Sequence, residues 1–143
     1  MDHLAIMKKS WDLLPKIFSG EKRIESRWYK SKHLPWDKIK AGERIFFKNS
    51  GEPVTLVAEV EKVLQFENLT QEKVSELLEQ YGQGLGLTRE ITPWFYERTK
   101  DKNYCLLIFL KNPQAIKPFE INKKGFGLMA AWITVPDISR IKA

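Results

Sequence analysis

The sequence predicts an α+β fold, a small and mostly antiparallel β-barrel with flanking helices. Three observations carry this prediction. Segments with a two-residue polar/apolar period outnumber those with a helical period. The segments are joined by short, turn-like connections. Strands and helices do not alternate regularly, as a parallel doubly wound sheet requires.

The elements follow in order. Leu13, Leu14, Ile17 and Phe18 recur at helical spacing, Ser10 or Asp12 is placed to cap, and Pro15 suits only a first turn. A short helix is therefore expected to end near Ser19, with Gly20 as its corner. Residues 22–30 change period, so that Arg23, Glu25, Arg27 and Tyr29 point to one side of a strand. The next stretch, SKHLPWDKIKAGE, reads as a loop with one helical turn after Pro35, and AGERIFF leads into a strand over residues 44–48. VTLVAEVEKVLQF supplies a long strand with Val54, Leu56, Ala58 and Val60 on its apolar face.

TQEKVSELLEQYG has the strongest helical pattern: Thr70 caps, Glu72 sits in the first turn, and Val74, Leu77, Leu78 and Tyr81 form the apolar stripe. Gly82 ends it. GQGLGL lacks the glycine spacing and the preceding strand of a dinucleotide-binding turn, so it reads as a flexible loop. Residues 83–103 contain a short expected helix opened by Pro93 and either cover a cleft or pack beside it. NYCLLIFL is apolar on both faces, as in a central strand. Beyond Asn112 the chain reads as turns until LMAAWITV, a last apolar segment.

One domain spanning residues 1–143 is expected from this length, with 43% hydrophobic and 29% charged residues. No apolar run reaches the ~20 residues of a membrane span, and the start does not resemble a signal peptide. The expected compartment is the cytoplasm. The single cysteine, Cys105, reads as a buried thiol. Two histidines and one cysteine supply no zinc-ligand spacing, and no nucleophile elbow or P-loop occurs, so neither metal nor cofactor is expected.

Charge narrows the functional classes. The net charge is +6; residues 1–50 hold twelve Lys/Arg against six Asp/Glu, and residues 51–143 hold twelve of each. The whole excess lies in the N-terminal third, beside GEKRIESRWYK. There a carboxylate, Glu25, lies between the guanidinium groups of Arg23 and Arg27, with Trp28 and Tyr29 adjoining. Two readings of this spacing stand: cross-strand ion pairs on a wet face, or a site for an unpaired nucleotide. Of the five tryptophans, Trp11 and Trp132 are expected to be structural, whereas Trp28 and Trp36 are site candidates.

The spacing G-x-K-x-x-E-x-R, here Gly20, Lys22, Glu25 and Arg27 followed by Trp28, resembles the signature of ASCH domains, a branch of the PUA-like superfamily. AGERIFF and the helix introduced by LTQE follow in the family's order. The resemblance implies a PUA-like barrel whose cleft holds RNA or a modified base. Its expected binding residues are Gly20, Lys22, Glu25, Arg27, Trp28 and Tyr29, with Trp36 stacking and Lys30, Lys32 and Lys38 meeting phosphates. RNA is the expected polymer and DNA the alternative; no membrane partner is expected.

Some ASCH-like proteins are amidohydrolases that deacylate N4-acetylcytidine through a motif lysine, a threonine three residues later and a downstream glutamate. Lys22 matches that lysine, but Glu25 stands in place of the threonine, and Glu90 or Glu97 is a candidate for the third group. An enzyme, whether this amidohydrolase or an RNA nuclease with Lys22 and Glu25 as its active groups, is thus the alternative to a binding domain. A third reading is a protein-interaction domain anchored by the aromatics from Trp94 to Tyr96.

Overall fold

The computed structural model describes residues 1–143 as one six-stranded mixed sheet with three helices. Its strands are β1 (Asp2–Met7), β2 (Ile24–Tyr29), β3 (Arg44–Asn49), β4 (Val54–Phe66), β5 (Tyr104–Phe119) and β6 (Trp132–Val135). The helices are α1 (Leu14–Ser19), α2 (Gln71–Tyr81) and α3 (Thr92–Thr99). The strand order is β2-β5-β4-β3-β1-β6, and every pair is antiparallel except β1 with β3.

The sheet curls around a core drawn from α1 and from every strand but β2, including Ala5, Ile17, Ile45, Phe47, Leu56, Val60, Leu106, Ile108 and Trp132. Each buried aliphatic side chain in such a core contributes roughly 1.5–3 kcal/mol. The edge strands β2 and β6 do not pair, so the barrel stays open at a seam. Arg27 of β2 reaches across that seam, its guanidinium 5.1 Å from the centre of the Trp132 ring on β6. A second core lies on the outer face of β2 and β5, where Val74, Leu77 and Leu78 of α2 pack on Ile24, Cys105 and Leu107. Burial pushes the Cys105 thiol pKa up.

Several sequence readings hold. Gly20 has φ +84° and ends α1, and the Thr70 side chain accepts from the Lys73 N–H at the start of α2. Val54, Leu56, Ala58 and Val60 are buried along β4. Others need correction. Neither Ser10 nor Asp12 caps α1: the N-cap is Leu13 without a side-chain bond, and Asp12 is left-handed at φ +50°.

NYCLLIFL is the expected central strand, whereas β1 and the second half of β5 escaped the sequence reading. β1 lies between β3 and β6 and is covered on both faces, so it carries a continuous apolar run without alternation. β5 continues through Asn112 and Pro113, which resemble a turn, to Phe119. Lys111 pairs with Glu59 and Gln114 with Val57, so an irregularity absorbs the intervening residues, including the proline that has no N–H to donate.

Candidate nucleic-acid interface

β2 presents its side chains to the two cores alternately. Glu25 lies opposite Ile108 and Arg27 opposite Leu106, both in the barrel core, while Trp28 lies opposite Cys105 on the helical side. The motif charges therefore face the barrel interior at its seam. Glu25 and Lys22 are buried, and the solvated-face reading is thereby excluded for them.

Lys22 is fastened by oxygen atoms. Its Nζ donates to the Ile24 carbonyl at 2.7 Å and to the Leu85 carbonyl at 3.2 Å, and lies 3.5 Å from Glu25 Oε1. Glu25 Oε1 accepts the Ser26 N–H at 3.0 Å, and Oε2 accepts from Arg27 at 3.3 Å. Glu25 is thus flanked by Lys22 and Arg27. Arg23, expected as its second cation, is exposed and forms no ion pair with it. Burial pushes the Lys22 ammonium pKa below the usual lysine range, against the pull of Glu25; Arg27 and Lys16 add to the lowering.

The GQGLGL segment forms a wall of this site. The Gly84 carbonyl accepts the N–H groups of Arg23 and Ile24, at 2.7 and 2.9 Å, and Leu85 is buried. Gly86 has φ +80°, and a Cβ there would meet Lys22 Cβ at 3.2 Å. Only a residue without a side chain adopts this backbone while pressing so closely on Lys22. Residues 83–103 thus continue into the groove wall through Leu87, Ile91, Trp94 and Phe95.

These elements enclose a groove of about 640 Å³. Lys22, Glu25, Arg27, Trp28 and Tyr29 all line it. Trp28 donates its indole N–H to Ser26 at 2.9 Å and meets Phe95 edge-on. Tyr29 donates to the Leu34 carbonyl at 2.7 Å; burial raises its phenol pKa, partly offset by Arg27. Gly20 shapes the approach to Lys22 from the end of α1 and does not line the groove.

The remaining expected contacts lie elsewhere. Trp36 packs on Tyr104 and the barrel core, with Lys32 over its ring. Lys30, Lys32 and Lys38 are exposed and outside the groove. Glu90 and Glu97 are also exposed and outside it, and Glu97 pairs with Lys100 at 2.8 Å. Neither carboxylate completes a catalytic set with Lys22.

Four other cations line the groove: Lys8, Lys16, Arg98 and Lys102. With Lys22 and Arg27 they surround a single carboxylate, Glu25. Trp11 lines it too, contrary to its expected structural role. The sequence carried one signal for this extension: Trp94 and Arg98 stand four residues apart, on one face of a helix.

No family model matches the sequence, and no curated protein matches it significantly. Solved structures do. ASCH from Zymomonas mobilis is similar with a TM-score of 0.67 at 18% identity, over 99% of this chain and 96% of that one. A mutant of the same protein reaches 0.69 at 18% identity, over 97% and 93%. This chain has the ASCH fold. A protein from Enterococcus faecalis V583 is similar over 83% of this chain and 82% of that one, with a TM-score of 0.52 at 15% identity. In this ASCH fold Lys22, Glu25 and Arg27 of the G-x-K-x-x-E-x-R motif meet at the barrel seam, beside Trp28 and Tyr29.

Proposed function

We propose that this chain is a single cytoplasmic PUA-like domain that binds RNA, or a modified nucleotide, in the groove at the barrel seam. The observation that carries the reading is the groove's charge: six cationic side chains around one buried carboxylate, with Trp28 and Tyr29 among its lining residues. Phosphates suit the lysines and arginines, and unpaired bases suit the rings. Glu25 accepts from a base amino group, and Arg27 donates to a base carbonyl or phosphate. DNA is distinguished by the same assay run with a deoxy strand.

The test is anisotropy of labelled single-stranded RNA with wild type, Glu25→Gln and Arg27→Ala at low and moderate salt. Salt-sensitive binding that weakens about tenfold or more in Arg27→Ala is expected, since a charge-assisted bond is worth roughly 1.5–3 kcal/mol. Binding indifferent to both substitutions and to salt removes the reading.

One observation favours an amidohydrolase acting on N4-acylated cytidine: burial lowers the Lys22 pKa, as a nucleophilic amine requires. The geometry opposes it. Three oxygen acceptors surround Nζ, a set that matches the three hydrogens of an ammonium and leaves no lone pair for attack. Release of cytidine from N4-acetylcytidine by wild type, but not by a folded Lys22→Met, would reverse this preference.

A further inference from the structure

The five tryptophans divide into two groups. Trp132 belongs to the barrel core, Trp36 packs against it, and Trp28 packs against the helical core. Trp11 and Trp94 belong to no hydrophobic core cluster of the molecule. They meet each other at the groove instead, ring centres 5.6 Å apart and nearly perpendicular. Trp94 is 47% exposed. An indole contributes most to folding when it is covered, so a pair left half-open in a groove is poorly explained by stability.

Cations complete the cluster. The Arg98 guanidinium lies 5.1 Å from the Trp11 ring centre and 5.0 Å from that of Trp94, and the Lys8 ammonium lies 5.4 Å from Trp11. Arg98, Lys8 and neighbouring Lys102 have no carboxylate partner. The motif charges, by contrast, are engaged with one another. The groove therefore has two parts: a polar floor whose charges are paired with one another, and a rim that presents the half-exposed Trp94 ring and cations without a carboxylate partner. Ring surface next to free cations is complementary to a base and its phosphate. An acidic peptide would satisfy the cations alone.

We infer that Trp11, Trp94 and Arg98 form a stacking platform for a nucleobase flanking the one held at Lys22, Glu25 and Arg27, so that the groove takes a single strand and not a lone nucleoside. The inference rests on the nucleotide-binding reading and adds a second subsite to it. α3 carries Trp94 and Arg98 on one face, and the 3-10 turn Lys9–Trp11 supplies the opposite ring. Residues of both elements line the same groove as the motif strand, so a bound single strand can pass from rim to floor within it.

The test compares a labelled single-stranded RNA of about six nucleotides with a competing nucleoside 5′-monophosphate, in wild type, Trp94→Ala, Trp94→Phe and Arg27→Ala. Wild type is expected to bind the strand more tightly than the mononucleotide. Trp94→Ala should cut that advantage by about 5- to 150-fold, the range for loss of one stacked base, and Trp94→Phe should restore most of it. Trp94 is half-exposed and outside the cores, so the variants should keep the wild-type circular dichroism spectrum.

Equal losses for strand and mononucleotide in Trp94→Ala would overturn the inference, because the ring would then belong to a one-nucleotide pocket. An unchanged advantage in Trp94→Ala, with Arg27→Ala still impaired, would overturn the platform and leave the binding reading standing. Absence of binding to either probe in wild type would overturn both. Polyglutamate bound through Trp94 in place of RNA would assign the rim to an acidic protein partner and likewise overturn the inference.

Discussion

Two clusters of charged residues sit on either side of Trp132, and only one of them lines the groove. On one side, Arg27 lies over the indole face and joins Glu25 and Lys22. On the other, the indole N–H donates to His3 Nδ1 at 3.2 Å, and His3 Nε2 bonds Glu43 at 2.9 Å. His3 is fully buried, and its partners come from strand β6 and from the turn before β3. That cluster ties β1 to both neighbours and leaves little polar capacity unused. The motif cluster differs in its surroundings more than in its own burial: a groove adjoins it, and unpaired cations ring the groove. Buried charge alone therefore does not mark a site. The motif cluster is set apart by the groove beside it, where Trp28, Trp11 and Trp94 join the unpaired cations.

The largest expected effect separates these roles. Lys22→Met removes one member of a buried pair and leaves Glu25 and two backbone carbonyls short of a donor. It should destabilise the protein by about 3 kcal/mol, read from urea unfolding. Arg27 remains to compensate Glu25, which keeps the loss at the lower end for a broken buried pair. A loss under about 1 kcal/mol would mean that Lys22 is held neutral, and the hydrolase reading would gain.

Acid should act on the other cluster first. Burial lowers the His3 pKa from 6.5, against the pull of Glu43. For Glu43 burial acts upward, but bonds from His3, the Lys40 N–H and the N-terminus outweigh it and lower the pKa from 4.5. The signs agree: in both cases the unfolded chain binds the proton more readily, so stability falls as protons are added. The His3 contribution is complete above pH 6.5 and declines below it; that of Glu43 is complete above 4.5 and declines below it. Lys22 has the same sign in a different window, its burial cost being relieved as pH rises toward 10.5. Urea midpoints measured from pH 7 to pH 4 should fall, and His3→Gln should flatten the upper part of that fall. An equal slope in His3→Gln would assign the acid sensitivity to other groups.

The difference between the clusters also explains what was legible in the sequence. The motif strand announced itself because Glu25 and Arg27 alternate with Ile24, Ser26 and Trp28, and because Gly20 marks the turn before it. The strongest helix was legible from Thr70 to Gly82 for the same local reasons. β1 was not, since a strand buried on both faces has no period, and His3 in it gains its meaning from Glu43 and Thr134, far along the chain. Arg98 and Lys102 were missed because the groove is assembled by tertiary contact from residues some seventy positions beyond the motif. Lys30, Lys32, Trp36 and Lys38 were assigned to the site because they follow the motif in sequence. The chain instead carries them past Tyr29 and away from the groove.

That last misassignment supplies the smallest expected effect and a sensitive check on where the interface ends. Lys32 lies over Trp36 and Tyr104, and Lys38 is exposed beyond it; neither lines the groove. In the double variant Lys32→Ala/Lys38→Ala, RNA affinity should stay within about twofold of wild type, because surface changes away from an interface usually cost under ~0.5 kcal/mol. The slope of affinity against salt should also be unchanged, whereas each lost phosphate contact on a single strand lowers it by about 0.7. A shallower slope in this variant would extend the bound strand over the Trp36 face. The positive charge concentrated in the first fifty residues would then act as one surface, and the groove would be only its deepest part.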